Sequence, residues 1–361
     1  MKDVVFVCGA RDFHAMDKYY LTSKVLYPRN VLILTDLVES EGQSKLIKDS
    51  TPVYHLFNID RFLFKKQSSA GNIWRNILKI LVLPVQVYFL KKFYKSHTDY
   101  IYHAIPMYYM LLCYFSKVPF IATPQGSEIL VRPGKSKLYK KYAIKSLRAA
   151  SKVIVDSINM QRKVKELSNV EAVVMKNGFN TSILLRKNVN GSRNKIVSMR
   201  GLNPNYQIGK ILDARSESEE KLPISLVYPF SVEDYKVEIL NKFIPGDEDL
   251  GRLNKDCLYK LMSETLLAIS IPVSDSSPRS VYECIFAGAC VAITYSSYFD
   301  ELPQCMRDRI YLVNLEDKNW FESALDYAKK VTTNRFIPTQ EALEMCNEEL
   351  TIRKIVEEIY A

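Results

Sequence analysis

The chain has 361 residues, 47% of them apolar, with 50 lysines and arginines against 40 acids and a formal net charge of +10. The apolar share excludes a disordered chain, and the length exceeds what one ordinary core needs, which predicts two domains. Seven cysteines without C-x-x-C spacing and four histidines with no pair at ligand spacing exclude a disulfide scaffold and a zinc module; they predict a reduced, cytosolic setting.

The opening "MKDVVFVCGA" holds one apolar run of strand length, too short for the apolar region of a signal peptide, and reads as the first strand. His14, in "ARDFHAMDKYY", follows it, which makes His14 either a candidate for the ligand-facing edge of the sheet or a simple turn residue. Further strand-like runs begin at Val31 ("VLILT"), Val53 ("VYHLF"), Tyr100 ("YIYHA"), Pro119 ("PFIAT") and Lys152 ("KVIVD"). His103, near the end of "YIYHA", is a second candidate for that edge, against a core or surface role.

Between these runs, "IWRNILKILVLPVQVYFLKKFYKSH" has an apolar centre interrupted by Lys79, Pro84 and Gln86 and flanked by Arg75, Lys91, Lys92 and Lys95. Its length and interruptions argue against a bilayer span. It fits either a helix lying in a membrane interface or one packed on the sheet with a basic edge. Charge is spread unevenly around it: from Arg61 to Glu166 about twenty basic residues face about four acids, and beyond Ile211 acids prevail. A basic half suits an anionic membrane surface. No nucleic-acid module is recognisable in it, and its aromatic residues follow no known stacking motif.

The polar stretch "LLRKNVNGSRNK", Leu184 to Lys195, reads as a linker, giving domains over residues 1–184 and 195–345 and a closing helical run over 346–361. Strand-like runs resume at Lys195 ("KIVSM"), Ile224 ("ISLVY"), Leu266 ("LLAISI") and Cys290 ("CVAIT"). Strands alternating with helices throughout predict an α/β protein with two doubly wound, Rossmann-like parallel sheets, whose ligands bind in a cleft at the carboxyl ends of the strands.

The stretch "SDSSPRSVYECIFAGACVAIT", from Ser274, follows "LLAISIPV" and so belongs at that edge of the second sheet. Ser277 is expected to cap a helix beginning at Pro278, since proline in a first turn gives up only an amide that has no intrahelical acceptor. Amides at the helix start and the positive end of its dipole suit a phosphate, and Glu283, one to two turns further in, supplies a carboxylate for hydroxyl groups. Phosphate and hydroxyl recognition together fit a nucleotide sugar.

"SIPVSDSSPRSVYECIFAGACVAIT" resembles the donor-site signature of the family-four glycosyltransferases of GT-B fold. In matching order, "VPFIATPQGSEIL", "AIKSLRAASKVIVDS", "KNGFN" and "VSMRGLNPNYQIGKILDA" resemble further segments of that family. The resemblance implies two Rossmann-like domains facing a cleft, with the closing helix returning to the first. It implies retaining, metal-independent transfer from a UDP- or GDP-linked sugar, with no cofactor, to a glycan or lipid-linked acceptor in surface polysaccharide synthesis, on the cytoplasmic face of the cell membrane. Carried over, Glu283 holds the ribose hydroxyls, Asp275 the sugar hydroxyls and Arg200 the diphosphate. Amides around Ser277 to Ser280 lie at the sugar and diphosphate, the side chain of Arg279 either adding charge there or pointing to solvent, and Gly126, after Gln125, lets a loop approach the donor; His14 and His103 are the candidates on the acceptor side. The chain departs from the family where Asp275 stands for the commoner Glu and Gln125 for His; Tyr206 and the displaced Lys210 stand near the place of a basic residue. Two other functions compete: a sugar-nucleotide epimerase of similar architecture, and a basic nucleic-acid-binding protein.

Overall fold

The computed structural model describes residues 2–9, 13–36, 52–57, 59, 62, 69–188 and 193–361. It divides into two compact units: Met1–Lys66, Ala70–Lys176 and Glu349–Ala361 form the first, Gln67–Ser69 and Asn177–Glu348 the second.

The described strands of the first unit are β1 (Val4–Cys8), β2 (Val31–Thr35), β3 (Val53–His55), β4 (Ile101–Ile105), β5 (Ile121–Ala122), β6 (Lys152–Val155) and β7 (Ala172–Val174). They form one parallel sheet in the order β3-β2-β1-β4-β5-β6-β7, with Val4 paired to Val31 on one side and Ile101 on the other. Successive side chains of a strand point to opposite faces, so β1 serves two cores. Val5 and Val7 pack with Tyr109, Met110 and Leu147, whereas Val4, Phe6 and Cys8 pack with Met16, Tyr19 and the closing residues Ile352, Ile355, Val356, Ile359 and Tyr360. Each large side chain fully buried this way contributes about 1.5–3 kcal/mol. The end of the chain is therefore an integral part of the first unit's core.

The second unit repeats the plan with β8 (Lys195–Ser198), β9 (Ile224–Val227), β10 (Glu248–Gly251), β11 (Thr265–Ser270), β12 (Cys290–Thr294) and β13 (Ile310–Val313), in the parallel order β10-β9-β8-β11-β12-β13. β11 is central, pairing Leu267 with Ile196 and Cys290. β7, β10 and β13 were not among the strand-like runs read from the sequence, and each lies at a sheet edge.

The crossover between units falls at Lys176, earlier than the polar stretch from Leu184. Phe179 and Leu184, just before and within the helix Thr181–Lys187, are fully buried in a core of the second unit, which fixes that helix there; residues 189–192 of the expected linker lie outside the described residues. The closing helical run is two helices, Gln340–Cys346 and Glu348–Glu358, separated at Asn347. Around this return, Phe179 and Asn347 form a β-bridge, and a Cβ on Gly178 would collide with the backbone of Glu348.

The apolar segment around Pro84 is one helix, Ser69–Ser96, of 28 residues. At 1.5 Å per residue it extends about 42 Å. By length and composition it could cross a membrane, contrary to the expectation from its interruptions. Lys79 is only partly exposed and Gln86 is buried, so two of the three interruptions are turned toward the domain.

Candidate functional site

β8 and β11 are neighbours in the sheet, and the strand order runs outward from them in opposite directions. Such a reversal point opens a crevice beyond the carboxyl ends of the strands. The segments leaving these two strands are tied together there. The Val273 amide donates to the Asn205 carbonyl at 2.8 Å, Asn205 Nδ2 to the Ser274 carbonyl at 3.1 Å and Gln207 Nε2 to the Ile271 carbonyl at 2.6 Å. Gly201 permits this closeness, because a Cβ there would collide with the Phe230 ring and lie 2.8 Å from Tyr206.

Arg200, just after β8, reaches across to the segment after β11. Its guanidinium donates to Asp275 Oδ2 and to Ser280 Oγ at 3.0 Å, and its Cζ lies 4.6 Å from the centre of the Tyr206 ring. Both side chains of the ion pair are shielded, Arg200 at 10% and Asp275 at 15% exposure, and Arg200 Nε is buried without an acceptor. Asp275 Oδ1 accepts from the Ser276 amide at 2.9 Å. The pairing of Arg200 with Asp275 spans 75 positions of sequence.

The helix after this turn is Arg279–Phe286, one residue later than expected. Pro278 has ψ 95, which is extended, so it precedes the helix as a cap with no side-chain hydrogen bond. Ser277 does not cap; its Oγ lies 3.3 Å from Tyr282 Oη. The positive end of the helix dipole still faces the turn.

Glu283 is buried in this helix. Its Oε1 accepts from Arg279 Nε at 3.0 Å, one turn back, and from Tyr259 Oη at 3.3 Å. Burial pushes the Glu283 carboxyl above its ordinary pKa, and the Arg279 charge opposes that shift. Arg279 also stands 3.6 Å from Glu348 Oε2, so it is held between two carboxylates, with only 14% exposure. Adjacent residues of one turn thus serve two ion clusters: Ser280 accepts from the Arg200 that pairs with Asp275, and Arg279 holds Glu283 and Glu348.

Tyr206 belongs to this constellation through its ring, and burial raises its hydroxyl pKa. Lys210 is exposed on the helix Ile208–Glu217 and makes none of these contacts. Tyr259 and Glu348 were missed from the sequence. Tyr259 lies on the amphipathic helix Lys255–Glu264 and Glu348 at a helix start, and neither position carries a motif.

In the first unit, Gln125 is exposed beyond β5, and its amide donates to Glu128 Oε2 at 3.0 Å. Gly126 opens the short helix Gly126–Leu130. His14 lies in the first turn of the helix Phe13–Leu26 after β1; its side chain is outside the described residues. His103 is a core residue, which corrects its acceptor-side assignment. It is fully buried, stacked 5.2 Å from Phe6, with Nδ1 2.6 Å from Tyr360 Oη and Nε2 2.7 Å from Thr123 Oγ1. Burial drives its pKa well below the ordinary histidine value. Among the described residues, no three His, Cys, Asp or Glu side chains are grouped so as to hold a metal ion.

Chemically, the second unit presents a guanidinium whose parallel N–H donors match phosphate oxygens, beside a carboxylate able to accept from hydroxyls. A second carboxylate, Glu283, has both of its described bonds on one oxygen, leaving Oε2 outside them.

No family model matches the chain, and no curated protein is similar to it in sequence. Solved structures are similar to it over its whole length. Anabaena HepE in complex with UDP-glucose is 14% identical, with 100% of both chains covered and a TM-score of 0.75. A glycosyltransferase from Rickettsia africae is 14% identical, covering 99% of this chain and 97% of its own, with a TM-score of 0.71. Sucrose-phosphate synthase from Thermosynechococcus elongatus is 11% identical, covering 99% and 98%, with a TM-score of 0.73. The fold is that of the GT-B glycosyltransferases, with two Rossmann-like domains.

Proposed function

We propose that the second unit binds a nucleotide sugar where its strand order reverses, and that the protein transfers the sugar to a glycan or lipid-linked acceptor. The observation that carries this reading is Arg200, a shielded guanidinium at that point whose charged partner is the carboxylate of Asp275. A diphosphate would take the place of Asp275 on the guanidinium, aided by Ser280 and the amides of the helix start. Asp275, released, would then accept from hydroxyls of the sugar. Glu283 would accept from the ribose hydroxyls through Oε2, its other oxygen being held by Arg279 and Tyr259. Arg279 would act indirectly in this scheme, by keeping Glu283 ionised and oriented.

The solved complex of HepE with UDP-glucose supports a sugar diphosphonucleoside as the donor class. Retention of configuration without a metal, and an acceptor in surface polysaccharide synthesis, are what the resemblance of the stretch from Ser270 to Thr294 and its companion segments implies. In that scheme the departing diphosphate helps to remove the acceptor proton.

Thermal melting with UDP, GDP and their sugar conjugates tests the donor half of the proposal. A ligand present at a hundred times its Kd stabilises by about 2.7 kcal/mol. Stabilisation by one base series, followed by release of that nucleoside diphosphate when a sugar acceptor is added, is the expected result. A protein that no nucleotide or sugar conjugate stabilises would refute it.

A further inference from the structure

The helix Ser69–Ser96 has two unlike faces. On its inner face Leu78, Gln86 and Leu90 are buried, and Leu83, Val87, Phe93 and Tyr94 pack against the first unit's core. The polar members of this face are pinned. Lys79 Nζ lies 3.3 Å from the buried Asp36 carboxylate and 4.1 Å from the centre of the Tyr108 ring, and Gln86 Oε1 accepts from Tyr108 Oη.

On the opposite face Ile73, Ile77, Leu81, Pro84, Tyr88, Lys91 and Lys95 recur at spacings of three or four, which places them on one stripe. The stripe lies in solvent, with Ile80, beside it, 71% exposed, Leu81 66% and Ile73 and Tyr88 each 62%. Monomeric soluble proteins rarely leave so continuous an apolar surface uncovered. Its final turns are cationic, Lys91, Lys92 and Lys95 all being exposed, and the 28 residues contain no acid.

We infer that this outer face docks on an anionic lipid bilayer, with the helix lying in the plane of the membrane. The apolar stripe would enter the boundary between headgroups and acyl chains, with Tyr88 and Trp74 suited to that depth, while the three lysines meet lipid phosphates. The helix lies on the membrane and does not cross it, because crossing would strip Leu78, Gln86 and Leu90 from the core and break the contacts of Lys79. A bilayer fits better than a second copy of the chain, since this face contains no acid to meet its own lysines. Exposed Lys137, Lys140, Lys141 and Lys145 on the helix Lys137–Ala149 add to the basic field of the same unit. The inference stands on the first unit alone and does not depend on the reading of the second.

Flotation of the full chain with phosphatidylcholine vesicles, with and without phosphatidylglycerol, tests it. The protein should float with the anionic vesicles, and the emission of Trp74 should shift to the blue; Trp320 is buried and should not respond. The triple variant Lys91→Glu, Lys92→Glu, Lys95→Glu should lower partitioning on the order of a hundredfold. Leu81→Glu with Tyr88→Glu should abolish it even without added salt. All five positions are exposed, so both variants should melt like the parent. Absence of flotation by the parent overturns the inference, as does equal flotation of the variants. A parent dimer that dissociates on Leu81→Glu, without flotation, would assign the face to a second copy instead.

Discussion

Replacing Asp275 by alanine should separate the stability of the second unit from its affinity for a nucleotide. In the free protein the change leaves Arg200, among the described residues, with Ser280 and Tyr206, its Nε already lacking an acceptor there. At 10% exposure the guanidinium is poorly hydrated, and breaking such a buried pair costs about 3 kcal/mol. For a unit of this size, Asn177–Glu348, that corresponds to a fall of about 6–12 °C in Tm. A diphosphate restores a partner to Arg200. A nucleotide at a hundred times its Kd adds about 2.7 kcal/mol and should therefore bring the variant back close to the ligand-free parent. Its ligand-induced shift should be at least as large as the parent's, because no carboxylate has to be displaced. The sugar conjugate should stabilise the variant no more than the free nucleotide does. Glu283→Ala should act in the opposite sense, weakening both ligands by roughly ten- to a hundredfold, as expected for a lost charged hydrogen bond. Differential scanning fluorimetry and calorimetry with both ligands read all of these quantities. If Asp275→Ala melts like the parent, or loses its response to the free nucleotide while Glu283→Ala keeps it, the roles given to the two acids are wrong.

Two further predictions concern buried charge. His103 is held neutral by burial, so the unfolded chain takes up a proton that the folded chain refuses as pH falls below about 6.5. The first unit should then lose up to about 1.4 kcal/mol per pH unit on the way to pH 5, and His103→Gln should flatten that slope in denaturant titrations; an unchanged slope would show that other groups are responsible. In the second unit, Arg215 donates to both oxygens of Asp247 at 2.8 and 3.1 Å, and both side chains are fully buried. Arg215→Met should destabilise that unit by about 3–5 kcal/mol and leave the melting of the first unmoved; a loss under about 1 kcal/mol would mean that water reaches Asp247.

The sequence revealed most strands because both faces of a doubly wound sheet are covered, which makes central strands such as "VVFVC" and "CVAIT" continuous apolar runs. The three it did not reveal lie at sheet edges and are only partly buried: β10 reads "EDLG", and Leu312 of β13 is exposed. The same double coverage explains His103. In a strand buried on both sides, alternation cannot tell which residues face a ligand and which face a helix, and the Tyr360 hydroxyl paired with its Nδ1 comes from a segment 257 positions away. Asp275, Glu283 and Arg200 were legible as residue types at motif spacing. Their partners were not, because Arg200 with Asp275 and Glu283 with Tyr259 are joined only by the sheet, and Arg279 with Glu348 only by the return of the chain. The helix start was displaced by one residue for a local reason, the extended ψ of Pro278.

The return of the last residues to the first unit also sets an order of events during synthesis. β1 leaves the ribosome before every strand of the second unit, yet one of its two faces is covered in part by Ile352, Ile355, Val356, Ile359 and Tyr360. Until those residues have been made, Val4, Phe6 and Cys8 lack part of their apolar cover, whereas every strand of the second unit has already been translated. The later half of the chain is thus able to finish folding while the earlier half waits for it. A nascent chain stalled before Glu349 would carry a complete second unit behind an unfinished first one, a species with exposed apolar surface for chaperones to hold.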